Sequence, residues 1–320
     1  MKRIILVLIG LLGLLMLWQA LARRPRVGAA EEGAATSAPA LRHPWLRRAV
    51  RAAIVLALAF VLFSVLAVVL EDRIVFVPQK TPLGGWDRPD LGLERCWFAT
   101  SDGVKLHAWW HPGRGAGAPV LLFCHGNAGN MSHRTENLAM MVAAGAGVLI
   151  FDYRGYGLSE GRPTERGVYL DAEAACRYLT EERGVAPRRI VCFGRSLGAA
   201  VALHVALERE VAGLVMESAF ASVPAMARRS LLLRPFALLA RNRFDNAGRV
   251  GGLRVPVLCT HGGQDRVVPV EQGRAVFAAA PEPKTLHVVA DAGHEDVYVV
   301  GGEAYWDELT RFLQRCTGGQ

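Results

Sequence analysis

Ile190-Val191-Cys192-Phe193-Gly194-Arg195-Ser196-Leu197-Gly198-Ala199-Ala200 is the stretch that decides the fold. Four apolar residues run into a glycine, and a serine follows between that glycine and a second one. Beyond it, Ala199 to Leu207 is apolar except for His204. The first run reads as a strand buried on both faces, the second as a helix. Between them Gly194-Arg195-Ser196-Leu197-Gly198 has the form G-x-S-x-G. A serine on such a sharp strand-to-helix turn projects its hydroxyl above the sheet, and the glycines relieve crowding of the neighbouring backbone. The bare pattern is weak; its strand-turn-helix setting makes it strong.

Outward from this turn, apolar runs and helical segments alternate. Strands are expected at Val104–His111, Val120–His125, Val148–Tyr153, Ile190–Gly194, Leu214–Glu217, Val257–His261 and Leu286–Ala290. Helices are expected at about 133–144, 165–183, 197–208, 270–279 and 303–315. This alternation predicts an α/β fold with a mostly parallel sheet flanked by helices. Ligands in such sheets bind at the carboxyl ends of the strands.

A serine nucleophile needs a base. Of the nine histidines, His294 lies in Asp291-Ala292-Gly293-His294-Glu295-Asp296, a loop after the last strand that emerges at the same sheet edge as Ser196. His204 falls inside the helix after Ser196 and reads as a packed helix residue. The base needs an orienting carboxylate. Asp265, in Gly262-Gly263-Gln264-Asp265, directly follows a strand; Asp291 and Asp296 are rivals by nearness in sequence. A tetrahedral intermediate needs two backbone donors. The N–H of Leu197 is one candidate. The N–H of Asn127 is the other, in the loop His125-Gly126-Asn127-Ala128-Gly129-Asn130, with His125 bracing that loop.

With these residues in place, the chain resembles a membrane-anchored α/β-hydrolase of the serine-hydrolase superfamily. It is most similar to the branch with an N-terminal anchor, which includes depalmitoylating and serine aminopeptidase-like relatives. The resemblance rests on Phe123-Cys124-His125-Gly126-Asn127-Ala128-Gly129-Asn130, Phe151-Asp152-Tyr153-Arg154-Gly155-Tyr156-Gly157, Gly194 to Ala200, Glu217-Ser218-Ala219-Phe220, His261 to Pro269 and Ala292-Gly293-His294. It covers about residues 95–316 and implies Ser196, Asp265 and His294 as a triad, in agreement with the reading of the residues.

The N-terminal quarter has a different character. Ile4 to Ala22 and Ala52 to Leu70 are each 19 residues without a charge. At about 1.5 Å per residue each would span roughly 28 Å, close to the hydrocarbon thickness of a bilayer. The first stretch follows Lys2 and Arg3 and ends in Ala20-Leu21-Ala22, so a signal peptide is the rival reading to a transmembrane span. The expected organisation is an apolar span over 1–22, a basic loop over 23–51, a transmembrane helix over 52–70 and a hydrolase domain over 71–320. A short lid is expected at about 222–244, where five arginines interleave with apolar residues and contact with anionic lipid heads is the sharper alternative.

The net charge of +8 sits almost wholly in residues 1–51, which hold nine Lys/Arg and two Glu. Residues 71–320 hold 28 basic and 27 acidic side chains. Membrane orientation therefore explains the excess better than nucleic acid, and no nucleic-acid partner is expected. The loop between the apolar stretches carries seven arginines and should stay in the cytoplasm. Two spans then put the hydrolase domain outside, in the periplasm of a Gram-negative cell. Cleavage of a signal peptide would instead leave it in the cytoplasm.

With 52% hydrophobic residues the chain is not disordered, and six cysteines in 320 residues do not make a disulfide scaffold. Cys124, Cys192 and Cys259 read as core residues. Neither a metal-ligand cluster nor a phosphate-binding glycine loop stands out, so no metal or cofactor is expected. The expected activity is hydrolysis of carboxylic esters or thioesters, with a small-molecule or lipid-like acyl substrate. A serine peptidase or amidase is a close variant. An inactive membrane-tethered binding protein on the same scaffold is the reading from another class.

Overall fold

The computed structural model describes residues 44–318, except Ala116, Leu232, Pro235, Phe236 and Leu238. The first apolar stretch and residues 23–43 therefore lie outside the described residues. In chain order the elements are α1 (Pro44–Val75), β1 (Glu94–Ala99), β2 (Lys105–His111), β3 (Val120–Cys124), α2 (Thr135–Ala143), β4 (Gly147–Phe151), α3 (Glu165–Arg177), β5 (Ile190–Arg195), α4 (Leu197–Glu208), β6 (Gly213–Glu217), α5 (Val223–Arg229), α6 (Asn246–Arg249), β7 (Val257–Gly262), α7 (Val270–Ala279), β8 (Lys284–Val289), α8 (Val297–Val300) and α9 (Gly302–Thr317).

The chain divides into two compact units between Glu71 and Asp72. In the first, Pro44–Leu66 is a 23-residue helical stretch of mean hydropathy 2.5, long and apolar enough to cross a membrane. The helix starts earlier than the sequence predicts. The last eight residues assigned to the basic loop, 44–51, are helical. Their arginines argue for solvent, but Arg, Leu and Ala are good helix formers.

In the second unit, eight strands form one sheet in the order β1-β2-β4-β3-β5-β6-β7-β8. The strands from β4 to β8 pair in parallel, and β1 and β2 pair antiparallel at one edge. Strand alternation sends Leu122, Cys124, Leu149, Cys192 and Met216 to one face, where α3 and α4 cover them. Leu121, Phe123, Ile150, Phe193 and Val215 face the other way, under α2 and α9. Both faces are thus dry, which is why the central strands read as continuous apolar runs. Fully burying side chains of this size contributes about 1.5–3 kcal/mol each.

β1 is the strand the sequence does not announce. Glu94–Ala99 mixes exposed and buried positions on the sheet edge and, among the described residues, pairs only with β2. The expected lid, 222–244, carries α5, and among its described residues no strand follows. Of its apolar residues, Leu231 is 88% exposed, while Leu232, Phe236 and Leu238 lie outside the described residues.

Candidate active site

The loops after β3, β5, β7 and β8 open at the carboxyl edge of the sheet, and each brings one part of the site. After β5 the chain turns at Ser196 with φ 55 and ψ −115. This is a backbone conformation that non-glycine residues rarely adopt, and it persists only where the surroundings over-determine it. Here they do. The Ser196 amide donates to the Glu217 carbonyl at 2.8 Å. A Cβ on Gly194 would lie 2.2 Å from the Gly198 carbonyl, and one on Gly198 would lie 2.0 Å from the Cys124 carbonyl. Close approach of three backbone segments therefore requires both glycines of the motif.

Asp265 and His294 meet across the loops after β7 and β8, with His294 Nδ1 2.7 Å from Asp265 Oδ2. Asp265 Oδ1 accepts from the amides of Val267 (2.9 Å) and Val268 (2.7 Å). His261 Nε2 lies 3.3 Å from Asp265 Oδ2 and 2.7 Å from the Val268 carbonyl. Burial pushes the Asp265 carboxyl up, but the hydrogen bonds from His261, His294 and Val268 outweigh it and hold the group below the usual carboxylate range. An ionised carboxylate can only accept, so the His294 proton sits on Nδ1 and leaves the Nε2 lone pair for another donor. Of the rival carboxylates, Asp296 is engaged elsewhere: it accepts from the Gly293 amide at 2.6 Å.

The loop after β3 carries Asn127. Among the described residues, no protein acceptor takes up the amide of Asn127 or of Leu197. Leu197 opens α4, a 12-residue helix whose N-terminal end favours negative charge. The Asn127 side chain is engaged at both its amide nitrogen and its oxygen. Its Nδ2 donates to the Val75 carbonyl at 2.6 Å, and its Oδ1 accepts from the Val77 amide at 3.2 Å and the Tyr156 hydroxyl at 2.8 Å. His125 is buried and braces the loop from below, its Nδ1 2.7 Å from the Gly126 carbonyl and its Nε2 3.5 Å from Asp152. Asp152 also accepts from the Met131 amide at 2.7 Å. The Asp152–Gly157 turn is thus a scaffold for this loop.

Three supports escape the sequence reading. The segment 75–81 forms a strap along the loop. Asn130 Nδ2 donates to the carbonyls of Gln79 (3.0 Å) and Thr81 (2.8 Å), and the Gln79 amide donates to the Gly129 carbonyl at 3.3 Å. Arg195, the variable residue of the serine motif, is buried and ion-paired with Glu217. Glu217 also accepts from the Tyr305 hydroxyl at 2.6 Å. The available signal was Glu217 itself, a carboxylate ending an apolar strand. Third, Arg134 and Glu295 pair at 3.0 Å, and nothing in their sequence spacing announces it.

Other groups stay structural. His204 packs on Tyr169 with ring centroids 4.2 Å apart and pairs with Glu173 at 2.9 Å. Cys124, Cys192 and Cys259 are buried free thiols, and burial pushes their pKa up, that of Cys259 to about 12. Among the described residues no three His, Cys, Asp or Glu side chains cluster as a metal site.

This sheet, with a strained serine after β5 and a histidine–aspartate pair after β8 and β7, defines the α/β-hydrolase fold. The chain belongs to the α/β-hydrolase family. It is 33% identical over 280 residues to an α/β-hydrolase domain-containing protein of Arabidopsis thaliana, WAV2, covering 78% of this chain and 89% of that one. An uncharacterized protein of Mycobacterium tuberculosis is 36% identical over 244 residues, covering 76% and 87%. An uncharacterized membrane protein of Saccharomyces cerevisiae is 32% identical over 237 residues, covering 71% and 82%. The profile of the family described as serine aminopeptidase, S33, matches residues 116–249. Among solved structures, an esterase of Pyrococcus furiosus superposes with a TM-score of 0.64 at 23% identity, covering 76% of this chain and 99% of that one. That likeness is one of fold.

Proposed function

We propose that the protein is a serine hydrolase that cleaves carboxylic esters or thioesters through an acyl-enzyme on Ser196. The observation that carries this reading is the 2.7 Å contact between His294 and Asp265 at the sheet edge where the strained Ser196 stands. In the first step Ser196 Oγ bonds to the acyl carbon while His294 Nε2 takes its proton. The amides of Leu197 and Asn127 hold the oxyanion. The bond to the leaving group then breaks, and His294 returns the proton to the leaving oxygen or sulfur. Water, activated by the same imidazole, releases the acid and restores the serine. Asp265 keeps the imidazole in the working tautomer.

A fluorophosphonate probe tests the assignment. Wild type should be labelled, and Ser196→Ala, folded by circular dichroism, should not. Surviving label on that variant would remove Ser196 from the reaction. The match to the serine aminopeptidase profile favours one second reading, hydrolysis of aminoacyl amides. A panel of acyl esters, thioesters and aminoacyl amides separates the two. Absence of both turnover and labelling would leave the inactive binding scaffold.

The same reading places the enzyme at a membrane, with a lipid-like acyl group as its substrate. It is supported by the apolar stretch of α1 and by the yeast relative's description as a membrane protein. The seven arginines between residues 23 and 51, ahead of the uncharged part of α1, favour an external catalytic domain. A C-terminal alkaline phosphatase fusion should then be active; an inactive one beside a fluorescent GFP fusion would reverse the orientation.

A further inference from the structure

We propose that Arg134 and Glu295 form a positioning clamp that holds the oxyanion loop and the histidine loop in register with the nucleophile. The inference rests on the reading of Ser196 as that nucleophile. Arg134 ends the short 3-10 turn Met131–Arg134, which Asn130 caps. From there its guanidinium reaches both ways. Nη2 donates to the carbonyl of Ala128, the residue after Asn127, at 2.6 Å. Nη1 donates to Glu295 Oε2, on the residue after His294, at 3.0 Å. A Cβ on Gly126 would lie 3.8 Å from Ser196 Cβ and 3.9 Å from Arg134 Nη2. Nucleophile, oxyanion loop and guanidinium thus gather around one glycine.

The third catalytic loop touches the same carboxylate. Arg195 Nη1, on the residue before Ser196, lies 3.9 Å from Glu295 Oε2. Arg195 is itself fixed by Glu217 and lies over the Tyr298 ring, 4.9 Å from its centroid. Tyr298 adds a parallel tie, its hydroxyl donating to Glu136 at 3.2 Å beside Arg134 in sequence.

The roles of the two partners are unequal. The Arg134 side chain is 10% exposed and that of Glu295 56%. Burial lowers the Arg134 pKa, and the Glu295 charge works against that loss. Neutralising Glu295 leaves a desolvated guanidinium without its counter-charge. Arg134 then turns toward water and releases Ala128. The clamp therefore acts as a unit: losing either half loosens both loops. Misplacing catalytic groups by about 1 Å can cost about 100-fold in rate.

The test uses the full chain in detergent, with Arg134→Gln, Glu295→Gln and the double variant. Two readouts are taken: hydrolysis of p-nitrophenyl butyrate and amide hydrogen exchange. Each single variant should lower kcat about 10- to 100-fold with KM within about threefold. The double variant should lose no more than Arg134→Gln alone, because both remove one shared interaction. Amides in 126–130 and 293–297 should both exchange about tenfold faster in each single variant. Arg134→Lys, able to reach one partner at a time, should recover part of kcat. Faster exchange in only one loop, losses that multiply in the double variant, or an effect confined to KM would overturn the clamp. Should Arg134→Gln not fold, the half-exposed Glu295→Gln decides alone: unchanged exchange at 126–130 rejects the proposal. If wild type neither turns over the ester nor is labelled at Ser196, the functional reading has failed, and the exchange data still judge the clamp.

Discussion

The Ser196 turn and the 125–130 loop stand side by side, yet they are held by opposite means. Ser196 is fixed mainly by backbone: two glycines without which neighbouring carbonyls would collide, and one amide bonded to the next strand, with the Arg195–Glu217 ion pair beside them. The Asp265 turn is built similarly, with two amides within three residues saturating one carboxylate oxygen. The 125–130 loop is held by side chains reaching far in sequence, to Val75, Val77, Gln79, Thr81 and Tyr156. Backbone-built geometry tolerates almost no substitution and is compact. Side-chain-built geometry is distributed, so single losses should be partial.

The largest expected effect sharpens that contrast on the acid side. Asp265→Asn should lower kcat by about 10⁴ while the fold survives, because Asn presents the wrong partner to His294 Nδ1. The pH dependence of stability adds a second reading. The Asp265 carboxyl is held below its unfolded value. Its stabilisation is therefore fully present above the unfolded pKa and is lost as pH falls through the folded one. Wild type should lose more thermal stability than Asp265→Asn between about pH 4 and pH 2. Parallel melting curves for the two proteins would show that the carboxylate is not so held.

Next comes the turn itself. Gly198→Ala puts a carbon 2.0 Å from the Cys124 carbonyl, which no side-chain rotation relieves. A cost of about 3 kcal/mol or more is expected, read by urea unfolding or by loss of soluble protein. A variant as stable as wild type would mean that the turn can breathe and that backbone contact does not define it.

The smallest effect belongs to the loop. Asn127→Ala removes three hydrogen bonds but leaves the loop held at Asn130 and Arg134. Destabilisation of about 1–3 kcal/mol is expected, with a kcat loss well short of that in Asp265→Asn. Collapse as complete as in Gly198→Ala would erase the distinction between the two regions.

The same contrast explains what could be read from the chain. The glycines around Ser196 are visible because the demand for them is local. Asp265 and His294 are visible because each directly follows a predicted strand, and α7 falls where its pattern places it, at 270–279. The strap at 75–81 is invisible because its meaning lies in residues about 50 positions away. Arg134 and Glu295 pair across 161 positions, with no period to betray them. β1 escapes notice because an edge strand of mixed polarity carries no continuous apolar run. The helical character of 44–51 is hidden by charges that look like loop, on residues that favour helix.

The strap also sets where this protein can be cut. Asp72 opens the second unit, and Val75 already holds Asn127 through its carbonyl. A protease acting before Asp72 would leave the second unit with the partners of Asn127 and Asn130 in place. Cleavage only a few residues later, between Val77 and Thr81, would detach Val75 and Val77, the backbone partners of Asn127. Two cuts less than ten residues of chain apart would thus have opposite effects on the 125–130 loop.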